Sequence, residues 1–308
     1  MRILHADKGM THMQVGVAVA VVLVLSLLVV FLVRQENTPW LQGAYPRSVQ
    51  KLQLVQAMMR DLLASAEAEK SAVMAETDEA SEAFAAQSRQ ASDHVEKARR
   101  ELEPLLEGKR QEEQLFLEFS QCWDTLQAID REVLSLAVQN TNLKAFRLSF
   151  GPAAAAVRRM EDALTHLMEV GASSPDAVAL TRLAATAAMG ALNIYMLHPP
   201  HIVESTVTRM DEMEARMKSH DTQVTTALQS LRALVDESGQ PWLDAAWAAY
   251  KDLQHLNGDI VELSRQNSNV RSYALSLGQK RKMTAQCQDV LTALQETVRQ
   301  SMAYTATK

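Results

Sequence analysis

Apolar residues follow two patterns along this chain of 308 residues, one continuous and one periodic. The continuous pattern is residues 15–33, VGVAVAVVLVLSLLVVFLV, which hold 19 positions without a charge. At about 1.5 Å per residue, a helix of that length crosses roughly the 30 Å hydrocarbon core of a bilayer. The run leads into RQENTPW with no small-residue cleavage site, which predicts a retained anchor rather than a removed signal peptide. Trp40 and Tyr45 then fall at the depth of the lipid headgroups, where amphipathic rings collect. Arg2 and Lys8 precede the run and Arg34, Arg47 and Lys51 follow it, so positive charge does not choose an orientation. Because short N-terminal tails of bacterial signal anchors usually stay inside, the expectation is a single pass through a bacterial inner membrane with the body in the periplasm.

The periodic pattern fills the rest. Phe119, Cys122, Leu126, Ile129, Val133, Leu136, Asn140, Leu143, Arg147 and Phe150 alternate by three and four. So do Ala246, Ala249, Leu253, Leu256, Ile260, Leu263, Asn267, Val270, Ala274 and Leu277. That is a heptad seam, one helical stripe facing partner helices. The two seams are copies of each other. QNTNLKAFRLSFG at 139–151 returns as QNSNVRSYALSLG at 266–278, and Asn267 follows Asn140 by 127 residues. At the same offset Leu126-Gln127 matches Leu253-Gln254, Trp123 stands opposite Tyr250, and Asp162, Leu164, Thr165 and Leu167 match Asp289, Leu291, Thr292 and Leu294. A gapless match of this extent is an internal duplication.

Gly and Pro mark breaks at LLEGKRQ (105–111), VGASSPD (170–176) and DESGQPW (236–242). They divide residues 45–303 into four helices, each of roughly sixty residues and about 90 Å. Short connections make sequential neighbours antiparallel. The predicted fold class is therefore all-α: a transmembrane helix, then a long up-down four-helix bundle built from a duplicated hairpin, 45–170 and 176–303. Residues 1–14 form an N-terminal tail, 34–44 a linker and 304–308 a C-terminal tail. The apolar stretch 177–197 is a rival second span, but it carries Arg182 and Asn193, which are costly at a bilayer centre. In this arrangement helices two and four run parallel. Cys122 and Cys287 then lie on the order of 50 Å apart and should be free thiols.

Several positions interrupt the seam. Asn140 and Asn267 occupy equivalent places and are expected at one level near mid-bundle, either fixing register or lining a polar pocket. At Gly151-Pro152 and at Gly278 a step of three is repeated, a stammer expected to overwind the bundle. Pro199 and Pro200 are expected to interrupt helix three at a similar height, giving one irregular layer roughly 30 Å above the membrane. Arg147, His198, His201, Lys280 and Arg281 surround that layer and make it the candidate site for a small anion such as a carboxylate.

Composition narrows the chemistry. The formal net charge of -6 speaks against a nucleic-acid partner. There is no CxxC, HExxH, GxxxxGK[ST] or GxGxxG, so no cofactor, metal or enzymatic activity is expected.

A single N-terminal span followed by long antiparallel helices, with the seams LAVQNTNLKAFRLSF and LSRQNSNVRSYALSL, resembles the four-helix-bundle sensory module of bacterial methyl-accepting chemotaxis receptors. The resemblance covers 15–303 as architecture. It implies a periplasmic module that works as a homodimer and senses small molecules at helix faces. Such receptors continue into a second span, a HAMP linker and a signalling hairpin, whereas this sequence runs to QSMAYTATK, so the expectation is either output through a partner protein or a truncated receptor. The alternative is a structural tether or scaffold in an envelope complex.

Overall fold

The computed structural model describes residues 47–306. The expected anchor at 15–33, the tail 1–14 and the linker 34–44 lie outside the described residues. What is described is helical. In order, the elements are α1 (Arg47–Val73), α2 (Asp78–Leu102), α3 (Arg110–Ala137), α4 (Thr141–Leu148), α5 (Ala154–Val170), α6 (Ala177–Val203), α7 (Val207–Leu231), α8 (Gln240–Gln266), α9 (Ser268–Leu275) and α10 (Arg281–Ala306). A π-turn joins α4 to α5 (Ser149–Ala153) and another joins α9 to α10 (Ser276–Lys280).

The three breaks read from Gly and Pro are present, but two more reversals divide what the periodicity presents as single helices. One is the turn between Val73 and Asp78. Thr77, in an extended conformation, caps α2 by accepting from the Ala80 N–H at 3.1 Å, and Asp78 and Glu79 follow in the first turn, where acidic side chains favour the helix dipole. The other lies at 204–206, where the Glu204 carboxylate accepts from the Ser205 and Thr206 N–H groups at 2.9 and 2.8 Å. Neither reversal contains Gly or Pro. Pro199 and Pro200 are carried inside α6, which continues to Val203 before the chain turns back.

Two extra reversals change the architecture. Each turns an expected single helix into a hairpin, and the one at 204–206, which lies between α3–α5 and α8–α10, makes these two long segments run antiparallel, not parallel. Four helices, α1, α2, α3 and α10, pack around one core of Val55, Met58, Leu62, Phe119, Trp123, Leu291, Leu294 and Val298. Another four, α5, α6, α7 and α8, pack around a second core that includes Met160, Leu164, Leu167, Leu180, Leu228, Leu243 and Tyr250. The long segments pass from one group into the other, so the single bundle expected from the sequence is two, end to end. The unit duplicated is a hairpin plus one long segment: α1 and α6 each have 27 residues, and α2 and α7 each have 25, so the repeat extends well beyond the matched sequence.

The cysteines follow the same logic. Cys122 stands 18 residues before Asn140, and Cys287 stands 18 after Asn269, the residue that Asn140 meets where the long segments cross. Antiparallel pairing therefore brings them together, and they form a disulfide between α3 and α10 with Cα atoms 5.7 Å apart. The expectation of distant free thiols fails because it assumed parallel segments.

The stammer also resolves differently. The extra residue is taken up by the π-turns, which widen the helix instead of overwinding it. Buried positions step by four through Ala145, Ser149 and Ala153, and again through Ser272, Ser276 and Lys280. Phe150 and Leu277, assigned to the seam by the three-four alternation, are consequently turned outward.

Among the described residues α6 is the one helix long and apolar enough to cross a membrane. Here its buried positions 180, 184, 187, 191, 194, 198 and 201 make a heptad stripe against α5, α7 and α8. The Gly190 site is close-packed; a Cβ there would come 2.5 Å from a Val224 methyl.

Candidate ligand-binding site

At the crossing, Asn140 and Asn267 take left-handed conformations, with φ of 51° and 54°. Asn tolerates that region better than most residues, which explains its presence at both points where a helix is broken and restarted. The opened backbone groups are satisfied reciprocally. Thr141 N–H donates to Ser268 Oγ at 3.1 Å and Ser268 N–H to Thr141 Oγ1 at 3.0 Å. Asn142 N–H and Asn269 N–H each donate to the other's side-chain oxygen at 3.1 Å. Asn142 Nδ2 reaches Asn267 Oδ1 at 2.8 Å, and Asn269 Nδ2 reaches Asn140 Oδ1 at 3.0 Å. The expected meeting of the two asparagines is therefore a crossing with every amide occupied, and each bonds to the other copy's next Asn. Such a knot sets register and leaves no amide for a ligand.

The five candidate residues are not gathered in one layer. Arg147 is exposed and donates to the Glu76 carbonyl at 2.6 Å, closing the α1–α2 turn. His198 and His201 are fully buried on α6 in one core. Lys280 is buried in the other, where its ammonium contacts Glu69 Oε2 at 3.0 Å and Asp130 Oδ1. Arg281 is exposed beside it. Gly151-Pro152 accompanies Pro199 and Pro200, since Ser149 bonds His198, while Gly278 belongs with Lys280 beyond the crossing. Antiparallel segments put the two irregular stretches on opposite sides of the centre. Lys280 is moreover neutralised by its two carboxylates, so it does not offer the anion site expected of it.

What the structure does assemble is a groove of about 350 Å³ among α6, α7 and α8. Its walls carry Glu214, Lys218, Asp221, Tyr250, Gln254 and Asn257 over an apolar floor that includes Ile194, Met217 and Leu253. Helical spacing explains the walls: Tyr250, Gln254, Asn257 and Val261 rise by fours and threes along one face of α8, and Glu214, Lys218 and Asp221 do so along α7. Asp221 Oδ1 accepts from Tyr250 Oη at 2.5 Å and from Gln254 Nε2 at 2.6 Å. Burial, and then the Asp221 carboxylate, push the Tyr250 hydroxyl well above its ordinary range, so it stays a donor. Burial also pushes Glu214 up, but hydrogen bonds from Arg265 and His201 outweigh it and hold the carboxyl below its usual range. Behind the groove His198 bridges Ser149 and Asn257 at 3.3 and 3.0 Å, and burial lowers it to about 4, so it is neutral. The exposed Lys218 ammonium has no ion pair among the described residues. The arrangement presents a fixed acceptor, an exposed cation and an amide to a small polar molecule.

The same groove exists twice. Offsets of 129 on the hairpin helices and 127 on the long segments map Lys218, Asp221, Tyr250, Gln254, Asn257 and Val261 onto Arg89, Ser92, Trp123, Gln127, Asp130 and Leu134. Most of those residues line a groove of about 570 Å³ between α2 and α3. Its chemistry has diverged. Ser92 replaces Asp221 and is bonded to Ser65 at 2.9 Å, so the indole N–H of Trp123, counterpart of the Tyr250 hydroxyl, has no protein partner. It sits at a cavity of about 10 Å³ shared with Ser92, Asp130 and Lys280, room for one water.

The seam pattern does not single out Glu214, Asp221 or Asn257, because each lies beside the buried stripe and not in it. The available signal was the polar pair Asp130/Asn257 at equivalent places of the repeat. Among the described residues no three His, Cys, Asp or Glu side chains are grouped to hold a metal ion. No protein-family model, no curated protein and no solved structure matches this chain.

Proposed function

We propose that this protein is a membrane-anchored sensory module that binds a small polar molecule in the α6–α7–α8 groove and signals through a partner protein. The apolar run at 15–33 supplies the anchor, and a homodimer is the working form implied by the likeness to chemotaxis-receptor sensory modules. The groove carries the reading: it places charged and hydrogen-bonding groups around a concavity of about 350 Å³ with an apolar floor. Its wall α8 continues through α9 into α10, which packs on α1, so a shift at the groove is passed along one rod to the end where the described chain begins. The Cys122–Cys287 bridge supports an oxidising compartment, as a periplasmic placement requires.

The test is thermal unfolding of the full-length protein in detergent against amino acids, amines and organic acids. A ligand at a hundred times its Kd adds about 2.7 kcal/mol. Lys218→Gln and Tyr250→Phe should abolish the response, while Arg147→Ala should leave it intact. If no compound raises the melting temperature, the molecule is the alternative, a stiff tether whose crossing and disulfide serve only rigidity.

A further inference from the structure

Glu69 is 1% exposed, and one of its oxygens, Oε1, has no hydrogen-bond partner. Its other oxygen contacts Lys280 at 3.0 Å, and the same ammonium serves Asp130. Two carboxylates therefore share one cation, and a buried carboxylate oxygen is left without a donor. That is an expensive arrangement, because removing charge from water is offset only by full pairing. Glu69 and Lys280 also line an open cleft of about 880 Å³ between α1 and α10, with apolar surface from Leu63, Met74 and Phe84. On its rim are Lys70 and Arg281, exposed cations with no ion pair among the described residues, and one exposed carboxylate, Glu67.

From this we infer a second binding site, in the α1–α10 cleft, for a small zwitterion bearing an ammonium and a carboxylate on a short aliphatic frame. The ammonium donates to Glu69 Oε1 and completes the buried charge cluster. The carboxylate lies against Arg281 and Lys70, and the aliphatic frame covers the apolar wall. A simple amine would leave two rim cations with only Glu67 near them and add a further positive charge to a cleft that already holds Lys70, Lys280 and Arg281. A simple carboxylate would leave the Glu69 oxygen unpaired. The site is separate from the α6–α7–α8 groove and does not depend on it.

The experiment is calorimetric titration and thermal unfolding of the full-length protein with four probes: glycine, 4-aminobutanoate, butylamine and butanoate. One or both amino acids should bind, with butylamine and butanoate at least about tenfold weaker. Arg281→Ala changes only an exposed side chain and should weaken the amino acid about tenfold. Glu69→Gln, which leaves Lys280 paired with Asp130, should do the same. Asp221→Asn, in the other groove, should leave this binding unchanged. Absence of binding by both amino acids overturns the proposal, as does equal binding of butylamine. Loss in Asp221→Asn with retention in Arg281→Ala would place the ligand in the α6–α7–α8 groove and overturn it too.

Discussion

Asn267 offers the sharpest test of the crossing. Its side chain accepts from Asn142 Nδ2 at 2.8 Å and donates to the Glu204 carbonyl at 2.8 Å, while its backbone sits at φ 54°. Replacing it with Gly keeps the left-handed conformation available but removes both bonds. Asn142 retains its bond to the Ile202 carbonyl at 2.6 Å, so one of its N–H groups is left unpaired in a buried place. A stranded buried donor costs about 1–3 kcal/mol and the lost bond to Glu204 about 1, together roughly 2–4 kcal/mol. Ala at the same position loses the same bonds and must also adopt a conformation that L-residues disfavour by about 1–2 kcal/mol. Equilibrium urea unfolding should therefore rank Asn267 above Gly and Gly above Ala, with midpoints separated by those amounts at constant m. Asn140→Ala should be coupled to Asn267→Ala, the double variant losing less than the two single losses together. Equal stability of the Gly and Ala variants would refute the backbone argument, and a Gly variant within about 0.5 kcal/mol of the parent would refute the bonded knot.

Two further outcomes follow from the buried groups. Cys122 and Cys287 close a loop of 165 residues, for which the loss of unfolded-chain entropy is on the order of 5 kcal/mol, so Cys122→Ser/Cys287→Ser or a reductant should lower the melting temperature sharply; free thiols titrating in the native parent would show instead that α3 and α10 are not antiparallel neighbours. His198 has a folded value of about 4 against an ordinary 6.5, so the unfolded chain binds the proton more tightly. Its contribution is full above pH 6.5 and lost as pH falls towards 4, by roughly 3 kcal/mol at about 1.4 kcal/mol per tenfold in proton affinity. Between pH 6.5 and 4.5 the parent should lose more stability than His198→Gln, and parallel pH profiles would refute a buried neutral imidazole.

Much of this molecule is legible in the chain alone. Helical period, the seam from Phe119 to Val133 and its copy, the duplication at an offset of 127, and the Gly- and Pro-marked turns are all local properties. So is the importance of Asn140 and Asn267, the polar interruptions of an apolar stripe. The candidate site was legible only in part: His198 and His201 do stand behind the groove, but Arg147, Lys280 and Arg281 are elsewhere and do other work. Asp221, Tyr250 and Gln254 were not marked, since their partnership joins α7 to α8 across a reversal that the apolar pattern does not show.

A three-four alternation states which face of a helix is buried, and nothing in it states which helix covers that face. That choice rests on the number of chain reversals between two segments. Between α3–α5 and α8–α10 two are written in Gly and Pro, at 170–176 and 236–242, but the third, at Glu204, is written in side-chain hydrogen bonds, which resemble an ordinary polar position. Counting it turns parallel segments antiparallel. The tertiary structure thereby decided the pairing of Cys122 with Cys287, the division into two cores and the burial of Lys280 between carboxylates. Each depends on contacts across more than a hundred residues, which local propensity does not encode.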